Sequence, residues 1–325
     1  MMEQEQEQTI EQPVEVEQKE EKVWVTRMPP EELIKWKSKL DPNFLELNHL
    51  IRHRLRNDWD LVIGITGRCG TGKSNLSKWM GFLVDDKFDL IENVAYLPYP
   101  EEIKPKFKKL ERYQMFDVDE CSKGIHKHGW QNKVQQEVAQ MYDTERYENK
   151  CTTMIMPRFK NFAENFRNYR IDIWINVIYR SKKKGKGIAI AYMIDTDKDI
   201  EDPWHMKENI KLKMKKLKNS KVAERTTKQI LEIERRTKNY LFDFEFPPLP
   251  KELDRSYKHF KKLSRMQDKH KEKTKRKILK FDKTVQNMIV CMIEKKNMTQ
   301  VEIAKEMGIS NQEVSKIYSN ARENN

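Results

Sequence analysis

The chain has 325 residues and a formal net charge of +13, with 35% charged and 37% hydrophobic residues. This length allows one sizeable buried core and smaller units, and the high charge content requires much solvent-exposed helix or tail. No run approaches the roughly 20 apolar residues of a membrane span, and the four scattered cysteines lack the paired spacing of a disulfide framework or a zinc site. A reducing cytoplasm is the expected location.

The chain begins with an acidic, glutamine-rich segment of low complexity, residues 1–22, in which eight Glu outnumber two Lys. It has too little apolar surface to offset the entropy of ordering, so we expect it to be disordered. Its composition is the opposite of that of a signal peptide. Two helices are predicted next, one from Pro30 to about Lys39 and one over Asn43–Arg56.

The segment from Asp60 to Met80 combines an apolar run, a glycine-rich turn and an amphipathic helix. The spacing Gly67-x-x-x-x-Gly72-Lys73-Ser74 is that of the phosphate-binding P-loop. Glycines let backbone N–H groups face an anion, and a helix N-terminus adds oriented donors. Lys73 can reach the β- and γ-phosphates of ATP, and the Ser74 hydroxyl can ligate Mg²⁺. A fortuitous glycine turn is the alternative. The predicted nucleotide-binding residues are Gly67, Arg68, Cys69, Gly70, Thr71, Gly72, Lys73, Ser74 and Asn75.

Strands and helices alternate after the P-loop. Because such alternation is typical of parallel sheets with both faces covered, the sequence predicts an α/β fold with a mainly parallel sheet. A lysine- and glycine-rich turn between the last two strands suggests a hairpin. The predicted elements are a strand at 93–97, a helix at 100–110, a strand at 113–120, a helix at 133–148, the strand Cys151–Met156, and strands at 171–179 and 187–194.

The strand at 113–120 ends in carboxylates. Since alternate strand residues share a face, Asp117 and Asp119 point the same way, and Glu120 falls at the strand end. We assign Asp119 to magnesium, directly or through water, and Glu120 to orienting and deprotonating the water that attacks ATP. Asp117 lies in an apolar strand and needs a partner, which we expect near Ser74. An acidic strand end facing solvent is the alternative.

Phosphoryl transfer often requires an arginine from the same chain or from a neighbour. The candidates closest to the strand Cys151–Met156 are Arg146 and Arg158, at the sheet edge where nucleotides bind. Earlier in the chain, His126 and His128 lack a third ligand nearby, which favours a polar loop over a metal site. The complete set of candidate arginines is Arg146, Arg158, Arg167, Arg170 and Arg180.

The basic excess is concentrated in residues 205–285, where 26 Lys and Arg outnumber 11 Asp and Glu. This charge predicts a polyanionic partner, with a lysine-rich solvated helix surface as the alternative. Charged helices are predicted over 205–240 and 251–280, separated by an interruption at 242–250.

The last 44 residues, 282–325, are predicted to form three helical segments. Two capping boxes, Thr299-x-x-Glu302 and Ser310-x-x-Glu313, indicate two helix starts, and Gly308 ends the first of these helices. The apolar face of the first segment comprises Val285, Met288, Ile289, Met292 and Ile293. The expected shared core comprises Ile303, Met307, Ile309, Val314 and Ile317, with the small Ala304 where the helices cross.

This spacing is that of a helix-turn-helix, whose second helix enters the major groove of DNA. A three-helix protein-interaction unit is the alternative. Amide side chains suit adenine, and a lysine suits phosphate or guanine. The predicted DNA contacts are Asn311, Gln312, Ser315, Lys316 and Ser319.

The motifs GRCGTGKS, DVDE, DTERYENK, CTTMIMP and NVIYR, from about Leu61 to Arg180, together resemble the RecA-like ATPases of the FtsK–HerA type. They look most like the zonular-occludens-toxin-like ATPases of viruses and mobile elements. The resemblance implies ATP binding at Gly67–Ser74, magnesium at Asp119, catalysis at Glu120 and an arginine finger at Arg146. The C-terminal segment resembles the DNA-binding domains of bacterial and archaeal regulators.

The predicted organisation is an acidic tail at 1–22, a RecA-like P-loop ATPase domain at 23–204, a basic helical arm at 205–281 and a helix-turn-helix domain at 282–325. The predicted function is DNA-dependent ATP hydrolysis with Mg²⁺, coupled to packaging, replication or partition of DNA, in host cytoplasm for a viral protein. A homo-oligomeric ring is expected if an arginine acts in trans. The alternatives are a nucleotide-switched regulator without motor activity and a small-molecule or nucleotide kinase.

Overall fold

A computed structural model describes most of the chain. The described residues are 24–57, 59–97, 99–121, 137, 140–142, 144, 148–181, 185–195, 202–217, 227–294, 296–307 and 310–323. Two predicted features lie largely or wholly outside them. Of the helix predicted at 133–148, residues 137, 140–142, 144 and 148 are described; the first five are α-helical, and residue 148 has 3₁₀ conformation. The loop that carries His126 and His128 is not among the described residues.

A seven-stranded sheet organises the described part of the chain. Five strands run parallel, and the last two are antiparallel to their neighbours. The strands are β1 (Leu61–Gly67), β2 (Val94–Ala95), β3 (Met115–Val118), β4 (Cys151–Met156), β5 (Ile173–Arg180), β6 (Gly187–Met193) and β7 (Tyr240–Phe246). Their order across the sheet is β2-β3-β4-β1-β5-β6-β7, so β4 separates β1 from β3.

The described helices cover both faces of the sheet and continue beyond it. Proline opens the first two and the fourth, at a position where its missing N–H costs no helical hydrogen bond. They are α1 (Pro30–Lys37), α2 (Pro42–Arg56), α3 (Lys73–Val84), α4 (Pro100–Lys109), α5 (Glu164–Tyr169), α6 (Met206–Leu217), α7 (Thr227–Glu234), α8 (Lys251–Glu294), α9 (Gln300–Met307) and α10 (Asn311–Glu323), with a 3₁₀ turn at Phe159–Asn161.

Two apolar layers enclose the sheet. Neighbouring residues of β1 point to opposite sides, so Ile63 joins the layer beneath α1, α2 and α3, while Val62 joins the layer beneath α4 and α5. Buried aromatic side chains fill both layers, with Trp79 in the first and Phe116 in the second. The α/β prediction is confirmed: the sheet is mostly parallel, is covered on both faces, and is consistent with a RecA-like core.

The segment predicted as an interruption between basic helices contains a strand instead. β7 pairs antiparallel with β6 along its length, and Phe244 and Phe246 are buried against the α2 side of the sheet. The sequence YLFDFEF places an aromatic residue at every second position, which suits a pleated, half-buried edge. The sheet therefore continues beyond residue 204, where the ATPase domain was predicted to end.

Residues 251–294 form one helix rather than two. The 44 residues of α8 contain neither glycine nor proline and are rich in Lys, Glu and Arg, which favour helix. The helix therefore continues through the predicted domain division between residues 281 and 282, and the division itself stays a prediction. Among the described residues, no helix has both the length and the apolar content that a bilayer crossing requires.

The C-terminal helical unit consists of residues 283–294 of α8 together with α9 and α10. Ile289, Ile303, Ala304 and Val314 are buried in its centre. Met288, predicted on the core face, is instead 47% exposed, because α9 and α10 cover only part of that face. Met307 and Ile317, predicted in the shared core, are partly buried and pack against it, whereas Gly308 and Ile309 lie outside the described residues.

Both predicted capping boxes are present in this unit. The Glu302 carboxylate accepts hydrogen bonds from the backbone N–H of Thr299 at 2.7 Å and from its hydroxyl at 2.8 Å. Glu313 does the same for Ser310, at 2.9 Å for both donors. In return, each hydroxyl accepts from the glutamate N–H, so each capping box satisfies one free N–H donor in the first turn of its helix.

Candidate functional site

The loop between β1 and α3 has the strand–loop–helix context expected of a P-loop. Gly67 and Gly72 have φ values of 147° and 96°, and a Cβ on Gly67 would lie 2.4 Å from the carbonyl oxygen of Val177. Glycine is therefore required at Gly67 for space as well as for conformation. The Thr71 hydroxyl closes the loop by donating to the Arg68 carbonyl at 2.8 Å.

The Lys73 ammonium lies over this loop. Its Nζ donates to the carbonyl oxygens of Gly67 at 2.8 Å and Arg68 at 2.9 Å. Burial lowers the pKa of Lys73, and the nearby Lys261 ammonium adds to that effect. An anion placed against the loop would favour the charged form of Lys73 and so offset both the burial and the repulsion by Lys261. The geometry therefore suits a phosphate group.

Asp119 meets the start of α3. The Ser74 hydroxyl lies close enough to the Asp119 carboxylate to contribute to lowering its pKa, so the two predicted magnesium ligands are neighbours. Hydroxyl and carboxylate oxygens are the donors that Mg²⁺ takes when substrate phosphates complete its coordination. No cluster of three or more His, Cys, Asp or Glu side chains suited to a metal occurs among the described residues. The residues present thus fit a magnesium ion bound together with a nucleotide.

Asp117 belongs to a fully buried polar cluster. Its carboxylate accepts hydrogen bonds from the hydroxyls of Ser77 and Thr153 and from the Lys78 ammonium. The partner expected near Ser74 is therefore one turn further along α3. Lys78 was missed by the sequence analysis, although a lysine inside the apolar run of α3 and an aspartate inside an apolar strand are natural partners.

Asp119 is also fully enclosed by donors. Lys78 Nζ donates to its Oδ1 at 3.0 Å, and the Tyr257 hydroxyl donates to its Oδ2 at 2.9 Å. Lys261 Nζ also donates to Oδ2. Burial alone would raise the pKa of Asp119, but the Lys78 and Lys261 ammonium groups hold it well below its usual range. Burial also disfavours the charged form of Lys78 and by itself would lower its pKa. The Asp117 and Asp119 carboxylates favour the charged form more strongly, so the pKa of Lys78 is raised.

Glu120 lies at the rim of the site. Its Oε2 accepts a hydrogen bond from Arg265 Nη2 at 3.0 Å, and the two side chains are 46% and 56% exposed. Asp119 and Glu120 thus face different surroundings although they are adjacent in sequence. The carboxylate assigned to the metal is fixed, whereas the one assigned to water is accessible.

The donors from α8 form one face of that helix. Tyr257, Lys261 and Arg265 follow at intervals of four residues, so their side chains lie above one another. This stretch was predicted to be a basic arm, and its contacts with the site were not predicted. No local signal could have revealed them, because 142 residues separate Lys261 from Asp119.

The candidate arginines fall in different places. Arg146 lies outside the described residues, so its assignment as a finger stays a prediction. Arg180 is beside the loop, with Cδ 3.5 Å from the position of a Cβ on Gly72. Arg158 follows Pro157, whose carbonyl accepts from Gly67 N at 3.4 Å. Arg167 pairs with Glu164 at 3.4 Å, a contact within α5.

A cavity of about 490 Å³ adjoins the loop on the side of the β5–β6 hairpin. Arg68, Gly70 and Thr71 line it from the loop, and Tyr179 and Arg180 line it from the end of β5. The cavity gives the loop an open side on which a ligand larger than a phosphate group could extend.

The predicted DNA contacts lie on α10. Asn311, Gln312, Lys316 and Ser319 are exposed, and Ser315 is half-buried. Val314, between them in sequence, points into the core of the C-terminal helical unit. The polar side chains therefore share an outer surface, as the helix-turn-helix interpretation requires, and their contact with DNA stays a prediction.

Comparisons with known proteins give limited information. No family model and no curated protein matches the chain. Among solved structures, the N-terminal domain of zonular occludens toxin from Neisseria meningitidis matches 45% of this chain and 90% of that one, with 14% identity and a TM-score of 0.30. A likeness at this level carries no information on function.

Proposed function

We propose that the protein is a P-loop ATPase that binds DNA and couples the two activities. The observation that carries the proposal is that two elements lie side by side: the Gly67–Ser74 loop, over which Lys73 Nζ is held, and the Asp119 carboxylate, which neighbours the Ser74 hydroxyl. One element suits phosphate and the other suits magnesium, and the hydrolysis of a nucleoside triphosphate requires both.

The residues have separate roles in this proposal. Lys73 and the N–H groups of the loop bind the phosphates, and Ser74 and Asp119 hold Mg²⁺. Bound Mg²⁺ neutralises charge that develops on the phosphate oxygens. Glu120 orients the attacking water and takes its proton, a role that its accessible position at the rim allows. A finger in trans from Arg146 would place the site between subunits of a ring.

DNA is the proposed partner because of charge and surface chemistry. The basic excess of residues 205–285 supplies the phosphate-binding term of affinity. The exposed polar side chains of α10 supply the groups that read bases. An origin in a virus or mobile element, and a place in the host cytoplasm, are supported by the sequence resemblance.

ATPase assays of the wild type and Glu120→Gln, with and without duplex or single-stranded DNA, test the proposal. We expect DNA to stimulate the wild type. The variant should bind ATP without hydrolysing it, and should form a larger assembly in sizing experiments with ATP. Glu111→Gln, an exposed glutamate outside the site, is the matched control and should behave as the wild type. Wild-type hydrolysis that saturating DNA leaves unchanged would contradict the coupling.

A nucleotide-switched regulator without motor activity is the second candidate. The observation in its favour is that one helix, α8, contacts Asp119 and Glu120 and also forms part of the C-terminal helical unit. Site-specific DNA binding whose affinity changes with nucleotide, in a protein that does not translocate, would favour this function over a motor.

A further inference from the structure

The hydrogen-bonding capacity of Asp119 Oδ2 is fully used. Oδ2 accepts from Tyr257 and Lys261, and Oδ1 accepts from Lys78. A carboxylate offers about four lone-pair sites, two on each oxygen. A magnesium ion, or a water molecule in its coordination shell, must therefore displace Tyr257 or Lys261 to reach Oδ2.

The groups around the Asp119 carboxylate are not equally displaceable. Lys78 is completely buried and also neutralises Asp117, so moving it would leave two buried carboxylates without a cation. Tyr257 is buried, with its ring 4.6 Å below Lys78 Nζ. The Ser74 hydroxyl is itself a predicted metal ligand and can remain. Lys261 differs, because its side chain is 22% exposed and reaches the site from the solvent side.

Electrostatics identifies the same residue. A divalent cation at Asp119 would be repelled by an ammonium bonded to the same oxygen. Lys261 lies close enough to Lys73 to lower its pKa. An ammonium released from Asp119 would therefore be near phosphates bound by Lys73 and could interact with them.

We propose that Lys261 is a positioning residue of the metal site, which occupies the magnesium side of Asp119 and is displaced when Mg²⁺ and nucleotide bind. The inference rests on the proposed function. Lys261 thereby competes with the metal for Asp119 and weakens metal binding, also when nucleotide is bound. The same exchange links metal binding to the position of α8.

Direct metal binding tests this inference without reference to turnover. Mn²⁺ serves as the probe for the magnesium site, titrated by electron paramagnetic resonance into the full-length protein with saturating ADP. We expect Lys261→Met to bind Mn²⁺ on the order of tenfold more tightly than the wild type, the worth of one charge-assisted hydrogen bond. Lys261→Arg keeps the charge and should stay within about twofold of the wild type.

Lys262→Met is the matched control, because Lys262 is the exposed neighbour of Lys261 on α8. It should leave Mn²⁺ affinity unchanged. If the Met variant does not fold, Lys261→Gln replaces it, since glutamine keeps a donor for Asp119 but carries no charge. Tighter Mn²⁺ binding by either uncharged variant supports the inference.

Two negative results have different meanings. Mn²⁺ affinity that is unchanged or weaker in the uncharged variants, in a wild type that binds both ADP and Mn²⁺, overturns the role of Lys261 alone. A wild type that binds neither ADP nor Mn²⁺ overturns the proposed function together with this inference.

Discussion

The core around the sheet and the C-terminal helical unit are stabilised by different means. The sheet core buries large side chains on both faces and encloses the charges of Lys78, Asp117 and Asp119. The C-terminal helical unit has a few buried side chains, such as Ile289 and Val314, and two capping boxes. Because a small core gives little stability, the loss of a single contact should unfold the C-terminal helical unit more readily than the sheet core. The sheet core should instead lose most stability when one partner of its buried charges is removed.

Removal of the buried ammonium should have the largest effect. Lys78→Met leaves Asp117 and Asp119 buried without their shared cation, and we expect a loss of about 3–5 kcal/mol in the free energy of unfolding. Urea denaturation followed by tryptophan fluorescence, to which the buried Trp79 contributes, measures this loss. Lys87→Met is the control, since Lys87 pairs with Glu111 at the surface, and it should show no measurable change. Equal stabilities of the two variants would contradict the importance of the buried cluster.

A cavity in the C-terminal helical unit should have the next largest effect. Ile303→Ala removes part of a fully buried side chain, at a cost of about 2–5 kcal/mol. In so small a unit this loss should abolish hydrogen-exchange protection in α9 and α10 while the protection of β1 persists. Val301→Ala, in the same helix at a side chain that is 64% exposed, should leave protection unchanged. Simultaneous loss of protection in β1 would show that the two regions unfold together.

The glycines of the loop offer a comparison within the sheet core. Gly67→Ala places a Cβ against the Val177 carbonyl in an unfavourable conformation, and we expect a loss of stability of about 1–3 kcal/mol together with weaker nucleotide binding. A Cβ on Gly70 would meet nothing within 4 Å. Gly70→Ala should therefore cost only the left-handed conformation, about 1 kcal/mol. Thermal unfolding ranks the two variants, and a larger loss for Gly70→Ala would contradict the close approach of β1 to β5.

The capping boxes should stabilise α9 and α10 less as the pH falls. The Thr299 N–H and hydroxyl lower the pKa of Glu302, and those of Ser310 lower the pKa of Glu313. Their stabilisation is therefore complete above the unfolded pKa of about 4.3 and is lost as pH falls through the lower folded values. Hydrogen-exchange protection of α9 and α10, corrected for intrinsic rates, should decrease over that range.

A double variant, Glu302→Gln with Glu313→Gln, isolates this effect. Glutamine preserves a capping box but does not titrate, so the acid-dependent loss of protection should be reduced. An identical loss in the double variant would assign the pH dependence to other groups.

Local patterns in the sequence were sufficient for much of the fold. The P-loop spacing fixed the junction of β1 and α3, and the residues Thr299 and Ser310 marked the starts of α9 and α10. In each case the determining interactions lie within a few residues of one another. The alternating aromatic residues of β7 carried a strand signal too, but the basic segments on both sides favoured a helical interpretation.

The surroundings of the candidate site depend on contacts that no local pattern encodes. Lys78 and Asp117 are 39 residues apart, and Tyr257 and Asp119 are 138 apart. That Asp117 needs a partner follows from burial, whereas the identity of the partner follows from the packing of α3 on β3. The contribution of α8 to the site required the three-dimensional structure.

The continuity of α8 has a consequence for spacing and phase. At about 1.5 Å per residue, its 44 residues extend about 66 Å, and each inserted residue would rotate everything beyond it by about 100°. An insertion of seven residues in the middle of α8 adds about two helical turns and nearly restores the original orientation. An insertion of two residues instead rotates the far end by about 200°. The number of residues in α8 therefore sets both the distance from Asp119 to α10 and the direction in which α10 faces.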